Sequence, residues 1–290
     1  MTRREENQKI FQDTERLCKT NSRLKDSVAR ATVNQKMIPE TLRLPTPDKK
    51  RFPEEARILI SKKRSFEAAE PYARSGSKVA VHNFASASNP GGGVVNGSGA
   101  QEECLCRCSG LYFSLNVPEM WNSFYAPHRA EHNPLHNDDI IYTPGVTVFK
   151  TDTDHPELMP EEDWYDVDVI TCAAPNLRQK PSNTYNSGDG QKPVRISDRD
   201  LQALHEKRFR RILDVAVMEG VDCIILGAFG CGAFMNSPRC VATAAARVVP
   251  EYLFAFRNIE FAVYCRPDDD TNYRVFRSML GRFVKNGPQT

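Results

Sequence analysis

Along this chain the spacing of apolar positions changes from helical to strand-like and back. From Arg4 to Thr32 the residues Ile10, Phe11, Leu17 and Val28 recur near helical spacing among many charges, with a break at Asn21-Ser22. This predicts two amphipathic helices packed on the outside of something larger. Met37 to Pro53 holds four prolines and reads as an extended linker. Arg57 to Ser61 predicts a short strand and Ser65 to Ala73 a short helix. Lys78 to Ala85, KVAVHNFA, opens the main β/α alternation with a strand that runs into a glycine-rich loop. In Asp139 to Lys150, IIYTPGVTVFK predicts two short strands around a Pro144-Gly145 turn, and Asp166 to Ala174 a buried strand. Lys180 to Pro193 is a polar loop. A helix over Asp198 to Glu219, a buried strand over Asp222 to Ala228, a helix from Pro238 to Phe254, a strand over Ile259 to Cys265 and a last helix from Asn272 to Val284 follow. Strands alternating with helices imply an α/β fold whose mixed or parallel sheet is covered on both faces. The expected division is an N-terminal helical extension and linker, 1–75, packed on a core, 76–290.

Composition adds limits. Of 290 residues, 40% are apolar and 26% charged, which fits an ordinary globular protein. Net charge is only +2, but residues 1–64 carry 17 Lys/Arg against 9 Asp/Glu. A solvated helical face is the expected reading of that excess, with a polyanion-facing surface as the alternative. Nine cysteines include the alternating Cys104, Cys106 and Cys108 but no CxxC pair. Reduced, mostly buried thiols are therefore expected rather than a zinc site or disulfide framework. The start MTRREENQKIF has no signal-peptide apolar region and no run reaches membrane-spanning length, so the expectation is an intracellular protein, cytoplasmic or nuclear, that does not meet a membrane.

The chemistry concentrates in Asn83 to Cys108, NFASASNPGGGVVNGSGAQEECLCRC. Gly91, Gly92 and Gly93 offer amides unobstructed by Cβ atoms and free to take positive φ, as close approach to a phosphate requires. Phe229-Gly230-Cys231-Gly232-Ala233-Phe234 is a second glycine-rich turn at a strand end, where ligands of such sheets bind. A pyrophosphate clamped between two sets of amides is the expectation, although a triple glycine alone is as well explained by a plain tight turn. Neither loop has the Gly-Lys-Ser/Thr of a nucleotide-binding P-loop or a GxGxxG pattern. Glu102 and Glu103 open the next helix, about 100° apart on its surface, so they face different partners. Acids in a first turn commonly just complement the macrodipole. With Leu105, Cys108 and Tyr112 on the buried face, however, both would stand at the mouth of the pocket. A carboxyl beside bound phosphates is harder to ionise, which suits a general acid, and a second acid can orient hydroxyls during glycosidic cleavage.

GGG, seven intervening residues and QEE, preceded by NFASASNP and followed by CLCRCSGLY, resembles the signature of the microbial type of poly(ADP-ribose) glycohydrolase, a macrodomain variant. The resemblance extends through the N-terminal helices, VDVITCAAPN and LGAFGCGAF. It implies a macrodomain-like three-layer α/β/α sandwich with a mixed sheet and an N-terminal helical extension. It also implies hydrolysis of ribose–ribose bonds in poly(ADP-ribose), mainly from the end, to release ADP-ribose, with no metal or other cofactor. Glu103 would be the acid/base and Glu102 would hold ribose hydroxyls. Gly91 to Gly93 would approach the diphosphate, with Asn83 and Gln101 bordering the pocket. Gly230, Cys231, Gly232 and Ala233 would form the second phosphate loop, and Phe234 would pack on the nucleotide. The implied partners are poly(ADP-ribose) or ADP-ribosylated proteins, with nucleic acid only as an ADP-ribosylated target, and the protein is expected to act as a monomer.

Two other functions stay open at this point. Relatives of the same fold remove mono-ADP-ribosyl groups from side chains, for example arginine, and some macrodomains only bind ADP-ribose. An intact QEE argues against a mere reader. Val94-Val95 stands where the family carries a larger aromatic-leucine pair, and Met235-Asn236-Ser237 also departs slightly from the family ending. Cys231 reads as a small residue under phosphate rather than a nucleophile. His128, His132 and His136 have ligand-like spacing, but Pro134 interrupts any helix there.

Overall fold

A computed structural model describes residues 1–183 and 188–284, so part of the polar loop, 184–187, and the C-terminal residues 285–290 lie outside the described residues. The chain folds as two compact units. The first comprises Met1–Leu42, Asn83–Arg195 and Ala233–Met235, and the second Arg43–His82, Ile196–Gly232 and Asn236–Thr290.

In the first unit, α1 (Arg3–Thr20) begins at a capping box in which the Thr2 hydroxyl accepts from the Glu5 amide and the Glu5 carboxylate accepts from the Thr2 amide. The predicted break falls where Asn21 ends α1 and its side chain caps α2 (Ser22–Asn34). The segment read as linker begins with a strand, β1 (Lys36–Ile38). Three residues with one buried side chain are too short to carry a period-2 signal. In the second unit, β2 (Arg57–Ser61) and α3 (Ser65–Arg74) follow as predicted. Then β3 (Val79–Ala85) runs from the second unit into the first, where its end at Asn83–Ala85 meets the glycine loop.

After that loop come α4 (Gln101–Cys108), α5 (Leu111–Leu115), α6 (Pro118–Met120), a π-helical turn over Trp121–Tyr125 and α7 (Ala126–Glu131). The predicted pair of strands around Pro144-Gly145 is instead one strand, β4 (Ile140–Val148), antiparallel to β5 (Tyr165–Ala173). Pro144-Gly145 is a bulge in it, since the register shifts between Thr143 and Val146. Gly145 takes φ +63° and its amide donates to Asp168 Oδ1 at 2.9 Å, so the chain continues past the irregularity without reversing.

The second unit continues with α8 (Asp198–Met218), β6 (Cys223–Leu226), α9 (Pro238–Val248), β7 (Asn258–Ala262) and α10 (Thr271–Leu280). The helix predicted to reach Phe254 gives way to a 3-10 turn over Val249–Tyr252. Pro250 has no N–H to give the Ala246 carbonyl, which receives Arg282 Nη2 at 3.4 Å instead. The sheet is mixed, with strand order β1-β4-β5-β3-β6-β7-β2. β3, β6, β7 and β2 pair in parallel, and β1, β4 and β5 pair antiparallel. β6 is buried along its whole length, as its uninterrupted apolar run requires. Phe209, Phe229, Phe256, Phe261 and Phe276 are fully buried in this unit. Each stabilises by about 1.5–3 kcal/mol through burial.

Candidate active site

The sequence between β3 and α4 folds so that glycine backbone closes over two carboxylates. Gly91 and Gly92 take φ of +64° and +59°, a left-handed region that L side chains rarely adopt. Space imposes the same choice. A Cβ on Gly92 would lie 2.5 Å from Glu103 Oε1 and 3.1 Å from Glu102 Oε2, and one on Gly91 would lie 2.7 Å from the Tyr112 ring. Both acids therefore lie against a single glycine.

Each carboxylate has its own set of donors. Glu102 accepts from the Ser86 amide at 2.8 Å through Oε2 and from Asn83 Nδ2 at 3.2 Å through Oε1, and the Gly91 amide adds a third N–H. Asn83 in turn reaches Thr171 Oγ1 on β5 at 3.2 Å, which anchors the strand end. Glu103 Oε1 accepts from the Gly93 amide at 2.8 Å. Its second oxygen, Oε2, is buried with no hydrogen-bond partner among the described residues, and so is Asn83 Oδ1. Gln101 is a brace, since its Oε1 accepts from the Phe84 amide at 2.9 Å. Unit one thus brings Asn83, Gly91 to Gly93, Gln101, Glu102 and Glu103 together.

The acids differ from expectation in depth. Sequence reading puts them at a pocket mouth on a helix whose buried face includes Tyr112, but α4 ends at Cys108 and the acids are only 3% and 7% exposed. The loop amides fold onto them, because carboxylates are the acceptors those amides find. Burial is the main cause that pushes both groups above the ordinary carboxylate range. Glu102 rises to about 8, raised further by the neighbouring Glu103 charge and opposed by the Ser86, Asn83 and Gly91 donors. Glu103 is also raised, opposed by the Gly93 amide and by the Arg107 charge.

Helix α1 supports the loop from below. Asn7 Nδ2 donates to Gly97 O at 3.1 Å, and Gly97, at φ +73°, sits so close that a Cβ would lie 2.1 Å from Arg4 O. Arg107 Nη1 donates to Ser98 O at 2.6 Å, and Thr14 Oγ1 donates to Arg107 O at 2.6 Å. Ser86, Thr171, Asn7 and Arg107 were missed by sequence reasoning. Only Arg107, four residues after Glu103 in QEECLCR, carried a usable signal.

Of the second loop, Gly230 to Gly232 belong to unit two and Ala233 and Phe234 to unit one. Gly230 takes φ +75°, and its carbonyl accepts from the Asn236 amide and from Asn236 Nδ2, each at 3.1 Å. His205 Nε2 meets Asn236 Oδ1 at 2.9 Å. Cys231 is half-buried and its thiol is pushed up by burial, away from nucleophilic thiolate chemistry. In unit one, the Phe234 carbonyl accepts from the Leu177 amide at 2.9 Å and its ring lies under the Arg178 guanidinium at 5.6 Å. The three spaced histidines diverge, with Nδ1 of His128, His132 and His136 on the carbonyls of Phe124, Gly188 and Ala174 respectively.

Residues 5–151 match the microbial-type PARG catalytic domain, PARG being poly(ADP-ribose) glycohydrolase. Among solved structures, the poly(ADP-ribose) glycohydrolase from Thermomonospora curvata bound to the inhibitor ADP-HPD is 28% identical with a TM-score of 0.78, over 95% of this chain and 99% of that one. The enzyme from Deinococcus radiodurans in complex with ADP-ribose is 30% identical with a TM-score of 0.72, over 89% of this chain and 98% of that one. No curated protein matches the chain.

Proposed function

The chain belongs to the microbial-type poly(ADP-ribose) glycohydrolases, and from that membership we propose how its residues perform the reaction. The family activity is glycoside hydrolysis of poly(ADP-ribose), and the macrodomain-like α/β fold is shared with solved members. The observation that carries the assignment of roles is the unequal hydrogen bonding of the two acids. Glu102 is tied to the strand end through both oxygens, by the Ser86 amide and by Asn83 Nδ2, whereas Glu103 accepts from the Gly93 amide through Oε1 and keeps Oε2 buried without a partner among the described residues. That free oxygen makes Glu103 the acid placed to exchange a proton with the substrate. Glu103 gives it to the departing ribose oxygen as the glycosidic bond breaks through an oxocarbenium-like transition state, then removes a proton from the attacking water. Glu102 accepts hydrogen bonds from ribose hydroxyls. Within the first unit, the backbone of Gly91 to Gly93 approaches the diphosphate, Asn83 borders the ribose, and Phe234 packs on the base. Residues 76–290 form the catalytic core, and 1–75 its support.

ADP-ribose polymer is the substrate, ADP-ribose the product and the acting species a monomer. The nine free cysteines fit an intracellular location. Among the described residues no helix is long and apolar enough to cross a membrane. A substrate panel tests this reading, with purified poly(ADP-ribose) beside proteins carrying single ADP-ribose on arginine, serine or glutamate. Release of ADP-ribose from the polymer is expected. Release from the single-unit substrates with none from the polymer would overturn it in favour of mono-ADP-ribosyl hydrolysis.

A further inference from the structure

Arg107 is the unexpected member of the site. It lies one helical turn after Glu103 on α4, on the same face, and is only 3% exposed. Its guanidinium binds neutral acceptors. Nη1 donates to Ser98 O at 2.6 Å and Nη2 to Cys104 Sγ at 3.1 Å, while Nε is buried without a partner. No carboxylate lies within ion-pair distance of it among the described residues. A buried cation left in that condition is strongly unfavourable unless negative charge stands nearby. The anions that meet this need are the glutamates one turn away. Lys150, the other buried cation near this end of the helix, already pairs with Asp13 at 2.9 Å.

We propose that Arg107 is the counter-charge of the acid pair, a positioning residue that acts through Glu103 by holding the pair to one proton. One guanidinium and two carboxyls are neutral as a group when one carboxyl is ionised and one is protonated. That is the state needed by an enzyme that starts with a loaded acid beside a charged hydroxyl acceptor. With both acids ionised the buried site would carry net −1, and with both protonated net +1. The other titratable groups that feel the pair stay neutral, since burial pushes the Cys106 thiol and the Tyr125 hydroxyl well above their ordinary ranges. The same guanidinium holds Ser98 O, so the group that balances the charge also fixes the end of the loop whose Gly93 amide contacts Glu103. This inference rests on the glycohydrolase reading for its consequences, but its test does not depend on turnover.

The experiment is a carboxyl 13C NMR titration of glutamate-labelled full-length protein, with Glu102→Gln and Glu103→Gln assigning the two signals. In Arg107→Gln both apparent titrations of the pair move to higher pH by about one unit or more, and Arg107→Lys restores them toward wild type. The pH optimum of ADP-ribose release shifts in the same direction in Arg107→Gln. A merely structural role would lower activity at all pH values with no shift, and unshifted titrations would overturn the proposal. If Arg107→Gln does not fold, Arg107→Met, which fills similar space without charge, supplies the test, and unshifted titrations of the pair in that variant would overturn the proposal. Absence of ADP-ribose release by the wild-type protein would instead sink the functional reading and leave the titrations standing.

Discussion

Replacing Gly92 by alanine tests whether the loop backbone sets the geometry of the acids. The new Cβ would start 2.5 Å from Glu103 Oε1, where ordinary contact begins at 3.4 Å, so loop and carboxylate must separate by roughly 1 Å. That displacement acts on the contact between the Gly93 amide and Glu103, now 2.8 Å. A misplacement of about 1 Å at reacting groups can cost about 10²-fold in rate. The backbone also holds alanine at φ +59°, which costs roughly 1–2 kcal/mol of stability. Gly145→Ala separates the two effects, because Gly145 has φ +63° but nothing within 4 Å of its would-be Cβ. Steady-state release of ADP-ribose and denaturant unfolding, measured on both variants, make the comparison. Gly92→Ala should lose about 10²-fold or more in kcat, a barrier increase of about 2.7 kcal/mol. Gly145→Ala should lose similar stability and keep its kcat. Wild-type kcat in Gly92→Ala, or equal loss in both variants, would refute the reasoning.

Three further outcomes follow from other parts of the fold. Asn7→Ala leaves the buried Gly97 carbonyl without its donor, so stability should fall by about 1–3 kcal/mol, and KM should rise more than kcat falls because the loop shifts while the acids remain. Phe234→Ala should raise KM about tenfold or more with kcat little changed, since stacking on a base contributes about 1–3 kcal/mol. Burial lowers the pKa of His82 to about 3 and of His205 to about 4, from 6.5. The unfolded state therefore binds more protons between those values, and the stability present above pH 6.5 is lost as pH falls toward 4. For His205 alone the loss is on the order of 3 kcal/mol, readable as a lower denaturation midpoint at pH 4.5 than at pH 7.

What the sequence reveals follows from how local its physical signals are. The helices of the N-terminus, the apolar strands β3, β5 and β6, and the loop-to-helix passage from Gly91 to Glu103 depend on periodicity, caps and glycine, all written within short windows. β1 was hidden because three residues show no period, and the bulge in β4 because Pro144-Gly145 has the composition of a turn. At the site, the types and order of the acids are legible, but their burial is not. It depends on the Ser86, Gly91 and Gly93 amides folding back and on Asn7 and Thr14 arriving from a helix some 90 residues earlier. Arg107 shows the boundary well. Its spacing from Glu103 is visible in the sequence, while the lack of an ion-pair partner that gives the spacing meaning is a property of the fold.

The central claim is that Glu103 carries the proton while the rest of the site binds. Its most direct measurement compares Glu103→Gln with wild type in two assays, ADP-ribose release from poly(ADP-ribose) and calorimetric binding of ADP-ribose. The amide keeps an oxygen for the Gly93 donor, so the loop should stay in place. Release should fall by at least about 10³-fold, while the Kd for ADP-ribose stays within a few-fold of wild type. Turnover near the wild-type rate in Glu103→Gln would contradict the account.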